Sequence, residues 1–194
     1  MTLTAKGRAT RDRIVEGAAT YLRSAEPGTV TLDDVRAITG TSKGQIFHYF
    51  PGGKEELLLA VAGLEADRVL LDQQPHLAEL TTWTAWIRWR DALVARYRAQ
   101  GRLCPLGTLM DQVRNTPGAS EVVTTLLTRW ESDIERGIRA MQETGQIRRE
   151  LPARRTAAAF IAGIQGGVQV LRATGSTDHL EAVLDLLIDY LRAA

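Results

Sequence analysis

Apolar residues recur along this chain at intervals of three and four, the spacing of one face of an α-helix. The last segment shows this spacing most regularly, at Leu180, Leu184, Leu187, Ile188 and Leu191. No stretch has the strict apolar and polar alternation of a half-buried strand. The pattern therefore predicts an all-α fold.

Glycine and proline separate the helical segments, since both residues favour turns. The predicted helices cover about residues 8–24, 32–39, 43–50, 54–71, 77–98, 106–115, 120–143, 152–174 and 177–191. We expect the first helix to end at the Glu26-Pro27-Gly28 break. The Pro51-Gly52-Gly53 break leads us to place one domain at residues 1–53 and a second at residues 54–194.

Residues 31–50, TLDDVRAITGTSKGQIFHYF, predict two short helices joined by a tight turn. Thr31 has the spacing to cap the first helix, with Asp34 as its reciprocal partner. Gly40 supplies a residue that adopts left-handed backbone angles where that helix ends. Ser42 is a natural cap for the second helix, which begins at the next residue.

The second of these helices has one apolar face and one face with little bulk. Ile46 and Phe50 lie one turn apart and are predicted to face inward, while Gly44 and His48 face outward. Such a helix fits the major groove of DNA, and the arrangement is that of a helix-turn-helix. The small core predicted for this unit is completed by apolar residues of the preceding helices: Ile14, Ala18, Tyr21, Leu22, Leu32, Val35 and Ile38.

Composition and charge restrict the class of protein only moderately. The net charge is +1, and 44% of the residues are apolar, as in ordinary soluble domains. Cys104 is the only cysteine, which excludes an intrachain disulfide and a cysteine metal cluster. The N-terminus lacks the apolar segment of a signal peptide, and no apolar run has the ~20 residues of a membrane span. We expect a cytoplasmic protein without a cofactor.

Three segments together resemble the DNA-binding domain of TetR-family transcriptional regulators: RIVEGAA at 13–19, VTL at 30–32 and GTSKGQIFHYF at 40–50. The resemblance extends to KEEL at 54–57 and implies an all-helical homodimer, usually a repressor that a small molecule releases from DNA. FPGGK at 50–54 and LCPLG at 103–107 are similar to the branch that contains lincomycin- and flavonoid-responsive repressors.

The resemblance also implies roles for individual residues. Lys43 and Gln45 reach the DNA, and Tyr49 and Lys54 contact phosphates. Phe47 stands where the family often has a tyrosine, and without the hydroxyl it is left with van der Waals contacts. A glutamine side chain is suited to a bidentate contact with adenine, and lysine to guanine or phosphate. The predicted DNA-binding residues are Thr31, Ser42, Lys43, Gly44, Gln45, Phe47, His48, Tyr49 and Lys54.

The central helices are rich in bulky aromatic and flexible apolar side chains, which suits either a plain core or a pocket for a planar lipophilic molecule. The predicted ligand-binding residues are Trp83, Trp86, Trp89, Met110, Gln112, Trp130 and Gln165. We therefore expect a repressor that binds a palindromic operator and is released by a lipophilic effector. The alternative is a helical DNA-binding protein without small-molecule control.

Two further expectations concern assembly and catalysis. The apolar faces of the last two helices exceed what one partner helix each can cover, which predicts a two-fold dimer through a four-helix bundle. Residues 40–44 also match the G-x-S-x-G motif of serine hydrolases. That motif requires a strand leading into the serine, whereas the preceding residues here are helical, so we expect no enzymatic activity.

Overall fold

The computed structural model describes residues 3–24 and 30–193, and the regular elements in these ranges are all helical. The predicted all-α fold is confirmed. The elements are α1 (Ala5–Ser24), α2 (Leu32–Thr39), α3 (Lys43–Tyr49), α4 (Gly53–Leu71), a 3-10 turn (His76–Glu79), α5 (Trp83–Gln100), α6 (Pro105–Gln112), α7 (Ala119–Glu143), α8 (Ala153–Thr174) and α9 (Asp178–Ala193). The break predicted at residues 26–28 lies outside the described residues.

The helix predicted over residues 77–98 is divided in the structure. A 3-10 turn covers His76–Glu79, and α5 begins only at Trp83. Thr82 sets this start, because its hydroxyl accepts a hydrogen bond of 3.2 Å from the backbone N–H of Ala85. A capping threonine places its own residue outside the helix, so the apolar residues before it belong to the turn.

The chain divides into two compact units. The first contains residues 1–68 together with 105–123, and the second contains residues 69–104 and 124–194. The first unit thus takes α6 along with the three N-terminal helices and most of α4. The domain boundary predicted after Gly53 separates a DNA-binding domain from an effector-binding domain, and this functional division stays a prediction.

The core of the first unit is built around the residues that fix α3. Ile46 and Phe50 are completely buried, as their spacing predicts, and Val35 of α2 is buried beside them. Helix α4 and α6 supply further apolar groups, among them Leu57 and Leu109. The helix-turn-helix therefore shares its core with helices that lie beyond it in the chain, since three short helices alone bury little apolar surface.

Ile38 is the one predicted core residue of α2 that the structure places at the surface, with 45% of its area exposed. Val35 and Thr39 are the buried residues of this helix. They are four residues apart and define its inner face, which rotates Ile38 to the edge of that face. The prediction that Ile38 is a core residue was therefore wrong.

An ion-pair network joins α1 to α4 within the first unit. The buried carboxylate of Glu65 pairs with Arg23 and lies 2.7 Å from Arg68, whose guanidinium also contacts Glu16 at 2.5 Å. A buried carboxylate is stable only when its charge is paired in this way. The network therefore fixes how α1, which supports the helix-turn-helix, lies on α4.

In the second unit α8 and α9 pack closely along their length. Gly167 makes this possible, because a Cβ there would lie 2.7 Å from the Cα of Leu180. Leu184 and Ile188 of α9 are buried on the same side. Bidentate bonds of 2.8 Å from Arg90 of α5 to Asp185 hold α9 from another side.

None of the helices described is both long and apolar enough to cross a membrane.

Candidate nucleic-acid interface

The turn between α2 and α3 is fixed by backbone angles and by hydroxyl groups. Gly40 adopts left-handed angles (φ 60°, ψ 29°), which non-glycine residues rarely adopt. The hydroxyl of Thr39 lies 2.7 Å from that of Thr41 and donates to the carbonyl of Val35 at 2.7 Å. Both threonines are buried, so the turn has little freedom to change the angle between the two helices.

Helix α3 begins with a complete capping box. The hydroxyl of Ser42 accepts from the N–H of Gln45 at 3.2 Å, and the amide oxygen of Gln45 accepts from the N–H of Ser42 at 3.0 Å. These two bonds satisfy donors that have no partner inside the helix. The spacing S-x-x-Q carried this signal in the sequence, but we considered Gln45 only as a base-reading residue. Because its oxygen serves the cap, the amide N–H groups of Gln45 remain available to another partner.

The outward face of α3 carries most of the residues predicted to bind DNA. The side chains of Lys43, Gln45, Phe47 and His48 are exposed, as is Gly44, while Ile46 is completely buried beneath them. The arrangement presents one cation, one amide and one imidazole on a surface with little bulk at its centre. Such a surface can approach base edges in the major groove.

Phe47 and Tyr49 differ in their surroundings. Phe47 is 41% exposed, and a Cβ added at Gly53, at the start of α4, would lie 3.4 Å from its ring. Tyr49 is half-buried against the core of the first unit and contacts the ring of His48 edge to face, with centroids 4.8 Å apart. Phe47 therefore offers apolar surface at the exposed edge of α3, and Tyr49 has a partly fixed ring.

Thr31 and Lys54 lie at the starts of α2 and α4. The hydroxyl of Thr31 accepts from the N–H of Asp34 at 3.2 Å, and the Thr31 N–H donates to the Asp34 carboxylate at 2.9 Å. The side-chain and backbone hydrogen bonds from Thr31 hold the pKa of Asp34 below its usual value, and the charge of Lys54 contributes in the same direction. Thr31 thus serves first as a cap, and its role at DNA stays a prediction.

Basic residues near the N-terminus are largely committed to the fold. The guanidinium of Arg13 donates to the carbonyl of Thr39, and that of Arg11 stacks over the Phe50 ring at 4.9 Å. Arg8 donates to the Leu3 carbonyl at 2.7 Å. Arg11 and Arg13 therefore anchor α1 to the helix-turn-helix, a function that their charge alone did not indicate.

Ser42 does not have the setting of a hydrolase nucleophile. It follows α2 and a turn, and its hydroxyl accepts from the backbone at the start of α3. A nucleophile elbow needs a strand before the serine. The G-x-S-x-G match is therefore explained by helix capping.

The four tryptophans predicted to bind a ligand lie in the second unit and differ in exposure. Trp86, Trp89 and Trp130 are completely buried, whereas Trp83 is partly exposed beneath the guanidinium of Arg192, 5.4 Å from its ring. Trp86 and Trp89 meet Phe160 of α8 with centroid distances of 5.4 and 6.1 Å. These aromatic rings form a continuous cluster within the unit.

The other residues predicted to bind a ligand are divided between the two units. Met110 packs against the core of the first unit, and the amide oxygen of Gln112 is buried there without a hydrogen-bond donor among the described residues. Gln165 is exposed on α8, whereas the neighbouring Ile164 is buried. Their part in ligand binding stays a prediction.

Sequence reasoning missed Gln73, a buried polar residue between α4 and the 3-10 turn. Its amide oxygen accepts from the indole N–H of Trp89 at 2.9 Å, and its NH₂ donates to the Val69 carbonyl at 2.7 Å. A polar residue in a short loop gives no periodic signal. Its burial follows only from the packing of α5.

Comparison with known proteins assigns the family. Residues 81–187, more than half of the chain, match the family model described as "Tetracyclin repressor-like, C-terminal domain". The chain belongs to the TetR family of transcriptional regulators.

Solved structures of TetR-family proteins have the same fold. A TetR transcriptional regulator from Chloroflexus aurantiacus is 28% identical and has a TM-score of 0.75, with 96% of each chain covered. A TetR-family regulator from Mesorhizobium loti reaches a TM-score of 0.76 at 15% identity, over 98% of each chain. The helix order of this TetR-family protein is therefore that of a regulator with an N-terminal helix-turn-helix and a C-terminal helical domain.

A curated relative from Mycobacterium tuberculosis, an uncharacterized HTH-type transcriptional regulator, is 29% identical over 90 residues. The alignment covers 46% of this chain and 43% of the relative, so it spans less than half of either protein. The comparisons do not single out the lincomycin- and flavonoid-responsive branch, which stays a prediction.

Proposed function

We propose that this TetR-family protein is a homodimeric, sequence-specific DNA-binding regulator, and that it is a repressor which a lipophilic small molecule releases from a palindromic operator. The observation that carries the proposal is the exposed face of α3. The Ser42 cap fixes the start of α3, and the buried side chains of Ile46 and Phe50 anchor the opposite side of the helix. A recognition helix needs this combination of rigid support and accessible polar groups.

The polar groups on α3 have different tasks in this proposal. Lys43 supplies a positive charge for guanine or phosphate, and Gln45 donates from its amide nitrogen to one base acceptor. His48 is the third polar group facing the groove. Tyr49 and Lys54 flank the helix and contact phosphates, which position the protein without reading sequence.

Helices α8 and α9 form the dimer in this proposal. Leu186 is 70% exposed and Tyr190 is 50% exposed, although their helix is buried along its other side. An open groove of about 470 Å³ lies beside them, lined by Pro152, Arg155, Thr156, Ala159, Leu187 and Tyr190. A second copy of the same face would cover these apolar groups through a two-fold axis.

Small-molecule control is supported by the aromatic cluster of the second unit. A solved structure with the same fold, the SmeT–triclosan complex, is 17% identical with a TM-score of 0.67 and covers 94% of this chain and 91% of its own. Helix α4 runs from the first unit into the second, so a change in the second unit can reach Lys54 along one helix. Coupling of ~1–3 kcal/mol would weaken operator binding roughly 5–150-fold, and the operator would weaken effector binding equally.

The experiment uses the DNA upstream of the gene that encodes this protein, with a scrambled duplex as the competitor. Gly44→Glu places an acidic group on the exposed face of α3, where an added Cβ meets only the Ser42 hydroxyl at 4.0 Å. Thr84→Glu makes the same change in charge at an exposed position of α5. We expect Gly44→Glu to abolish binding and Thr84→Glu to retain it, with both melting temperatures near that of the wild type. Equal binding by both variants would contradict the proposal.

The second candidate is DNA binding without small-molecule control. The completely buried Trp86, Trp89 and Phe160 favour it, because a plain aromatic core has the same appearance. Operator binding that stays constant across planar lipophilic compounds, while the operator itself is bound specifically, would establish this alternative.

A further inference from the structure

Gln45 is the third residue of α3, and its side chain serves the fold and the exposed surface at once. The amide oxygen accepts a hydrogen bond of 3.0 Å from the backbone N–H of Ser42. The backbone N–H of Gln45 donates to the Ser42 hydroxyl at 3.2 Å. The side chain is nevertheless exposed, whereas the next residue, Ile46, is completely buried. The cap therefore fixes the orientation of an amide group that a partner can reach.

The cap also determines which atoms of this amide are free. A backbone N–H can only donate, so the amide atom that faces Ser42 has to be the oxygen. Turning the amide over would bring its NH₂ group against the Ser42 N–H and would break the cap. The NH₂ group donates to none of the described residues, so both of its N–H groups are free.

The free end of Gln45 is thus a pair of hydrogen-bond donors without a matching acceptor. In the major groove guanine presents two neighbouring acceptors, O6 and N7, whereas adenine presents the N7 acceptor beside the N6 donor group. Thymine presents one acceptor, and cytosine presents a donor. A group that only donates therefore matches guanine best, and it meets a like donor on adenine and on cytosine.

The residues before Gln45 on α3 favour the same base. Lys43 is exposed and carries donors only, and Gly44 has no side chain that could supply an acceptor. A Cβ added at Gly44 would meet only the Ser42 hydroxyl, at 4.0 Å, so no described atom beside Gly44 keeps a base at a distance. His48 can accept when neutral, but it lies three residues along the helix, beside the Tyr49 ring. The start of α3 is therefore a surface of donors.

We propose that Gln45 determines specificity by reading guanine, with both amide N–H groups directed at O6 and N7, and that the Ser42 cap prevents it from reading adenine. A bidentate contact with adenine needs the oxygen and the NH₂ group side by side at the base edge, which draws the oxygen away from Ser42. This proposal rests on the DNA binding proposed above. It names the base and adds a second acceptor to the one given there.

Base substitution in the bound site tests the choice of guanine. The full-length protein is titrated with the upstream duplex that it binds, and with duplexes in which each base pair is changed in turn to the other three. The position that Gln45 reads is the one at which Gln45→Ala no longer distinguishes the bases. We expect the wild type to prefer guanine over adenine there by roughly three- to tenfold, as one additional neutral hydrogen bond provides. A preference for adenine at that position, or the lack of any position that depends on Gln45, overturns the proposal.

Base analogues at that position identify the acceptor atoms. In 7-deazaguanine a carbon replaces N7, whereas inosine keeps both O6 and N7 and lacks only the amino group in the minor groove. We expect 7-deazaguanine to weaken wild-type binding roughly three- to tenfold and inosine to bind as guanine does. Gln45→Ala should bind guanine and both analogues alike. Wild-type affinity that 7-deazaguanine leaves unchanged contradicts the contact.

Two substitutions at residue 42 test the cap separately from residue 45. Ser42→Pro removes the N–H that holds the Gln45 oxygen, and the φ of −73° at this residue suits proline. Ser42→Ala loses the same hydroxyl but keeps the N–H. The preference for guanine over adenine should fall in Ser42→Pro and persist in Ser42→Ala, whatever their affinities, since each ratio compares two duplexes on one protein. An equal ratio in the two variants refutes the role of the cap.

Gln45→Glu reverses the chemistry of the free end while it keeps an oxygen for the cap. Its second carboxylate oxygen can only accept, so the preferred base should change from guanine to cytosine, whose N4 group donates. A Gln45→Glu protein that still prefers guanine overturns the proposal, even where Ser42→Pro fails to fold. The proposed function fails by a different result, namely upstream DNA that the wild type binds no more tightly than a scrambled duplex.

Discussion

Replacing Gly167 with alanine tests the close approach of α8 and α9, the helices that carry the proposed dimer face. The added Cβ would lie 2.7 Å from the Cα of Leu180 and 3.1 Å from its backbone nitrogen. Backbone atoms cannot rotate away as the end of a side chain can, so the two helices must separate. Overpacking of this kind typically costs about 1–3 kcal/mol.

Part of this cost is offset, because glycine within a helix is about 0.8–1.0 kcal/mol less favourable than alanine. The contact with backbone places Gly167→Ala in the upper part of the overpacking range, which leaves a net loss of about 1–2 kcal/mol. At about 2–4 °C per kcal/mol for a chain of this size, the melting temperature should fall by about 2–8 °C.

Gly166 is the matched control, since it is the neighbouring residue on the same helix. No heavy atom lies within 4 Å of a Cβ added there, and the residue is exposed. Gly166→Ala should therefore gain about 0.5–1 kcal/mol from helix propensity alone. Thermal and urea unfolding of the two variants at several protein concentrations measures both changes. If Gly167→Ala is as stable as the wild type while Gly166→Ala shows its gain, the close helix contact is wrong.

Four further predictions concern DNA, assembly and pH. Gln45→Ala removes a cap bond and should destabilise the protein by about 0.5–1 kcal/mol, whereas Gln45→Glu keeps a cap acceptor and should leave the stability unchanged. Equal melting temperatures for the two variants would contradict the capping role. Lys54→Ala should weaken binding to cognate and scrambled DNA alike, and it should reduce the slope of log affinity against log salt concentration by roughly one unit. Titrations at several salt concentrations measure both effects. A loss of affinity restricted to cognate DNA would refute the phosphate contact. Leu186→Glu should give a folded monomer by light scattering because Leu186 is 70% exposed, whereas Leu184→Glu should unfold the subunit because Leu184 is completely buried. A Leu186→Glu protein that remains a dimer would contradict the proposed dimer face. Hydrogen bonding by Thr177, and then by Arg98, lowers the pKa of Glu181, so this carboxylate stabilises the fold above its ordinary pKa and less as the pH falls through the folded-state pKa. Thr177→Val should thus lower stability at neutral pH and flatten its decline in acid, and an unchanged decline in unfolding experiments between pH 7 and 3 would contradict this reasoning.

The tryptophans predicted to bind a ligand show where sequence periodicity stops being informative. Trp83, Trp86 and Trp89 are equally aromatic and lie on one helix, but one is partly exposed, one has an unsatisfied N–H and one is bonded to Gln73. These differences depend on which residues of other helices lie opposite each ring. The spacing along α5 alone does not contain that information.

Local sequence patterns correctly predicted most of the helices, the turn before α3 and the inward face of α3. The caps at Thr31 and Ser42 and the left-handed Gly40 depend on residues within a turn of one another, so local chemistry specifies them. The spacing of Ile46 and Phe50 places both side chains on one face of α3, and helices beyond it complete their burial. Even the engagement of Gln45 in the cap was encoded in its spacing from Ser42, although we interpreted that residue only as a contact to DNA.

Packing between helices determines which apolar surfaces are covered and which polar groups are paired. Ile38 satisfies the helical period but lies at the edge of the inner face of α2, and α6 belongs to the first unit although it follows α5 in the chain. The donors of Trp86 and Trp130 lack acceptors among the described residues, while that of Trp89 has one. Burial and hydrogen bonding at these positions depend on residues far apart in the sequence, and these are brought together only when the helices pack.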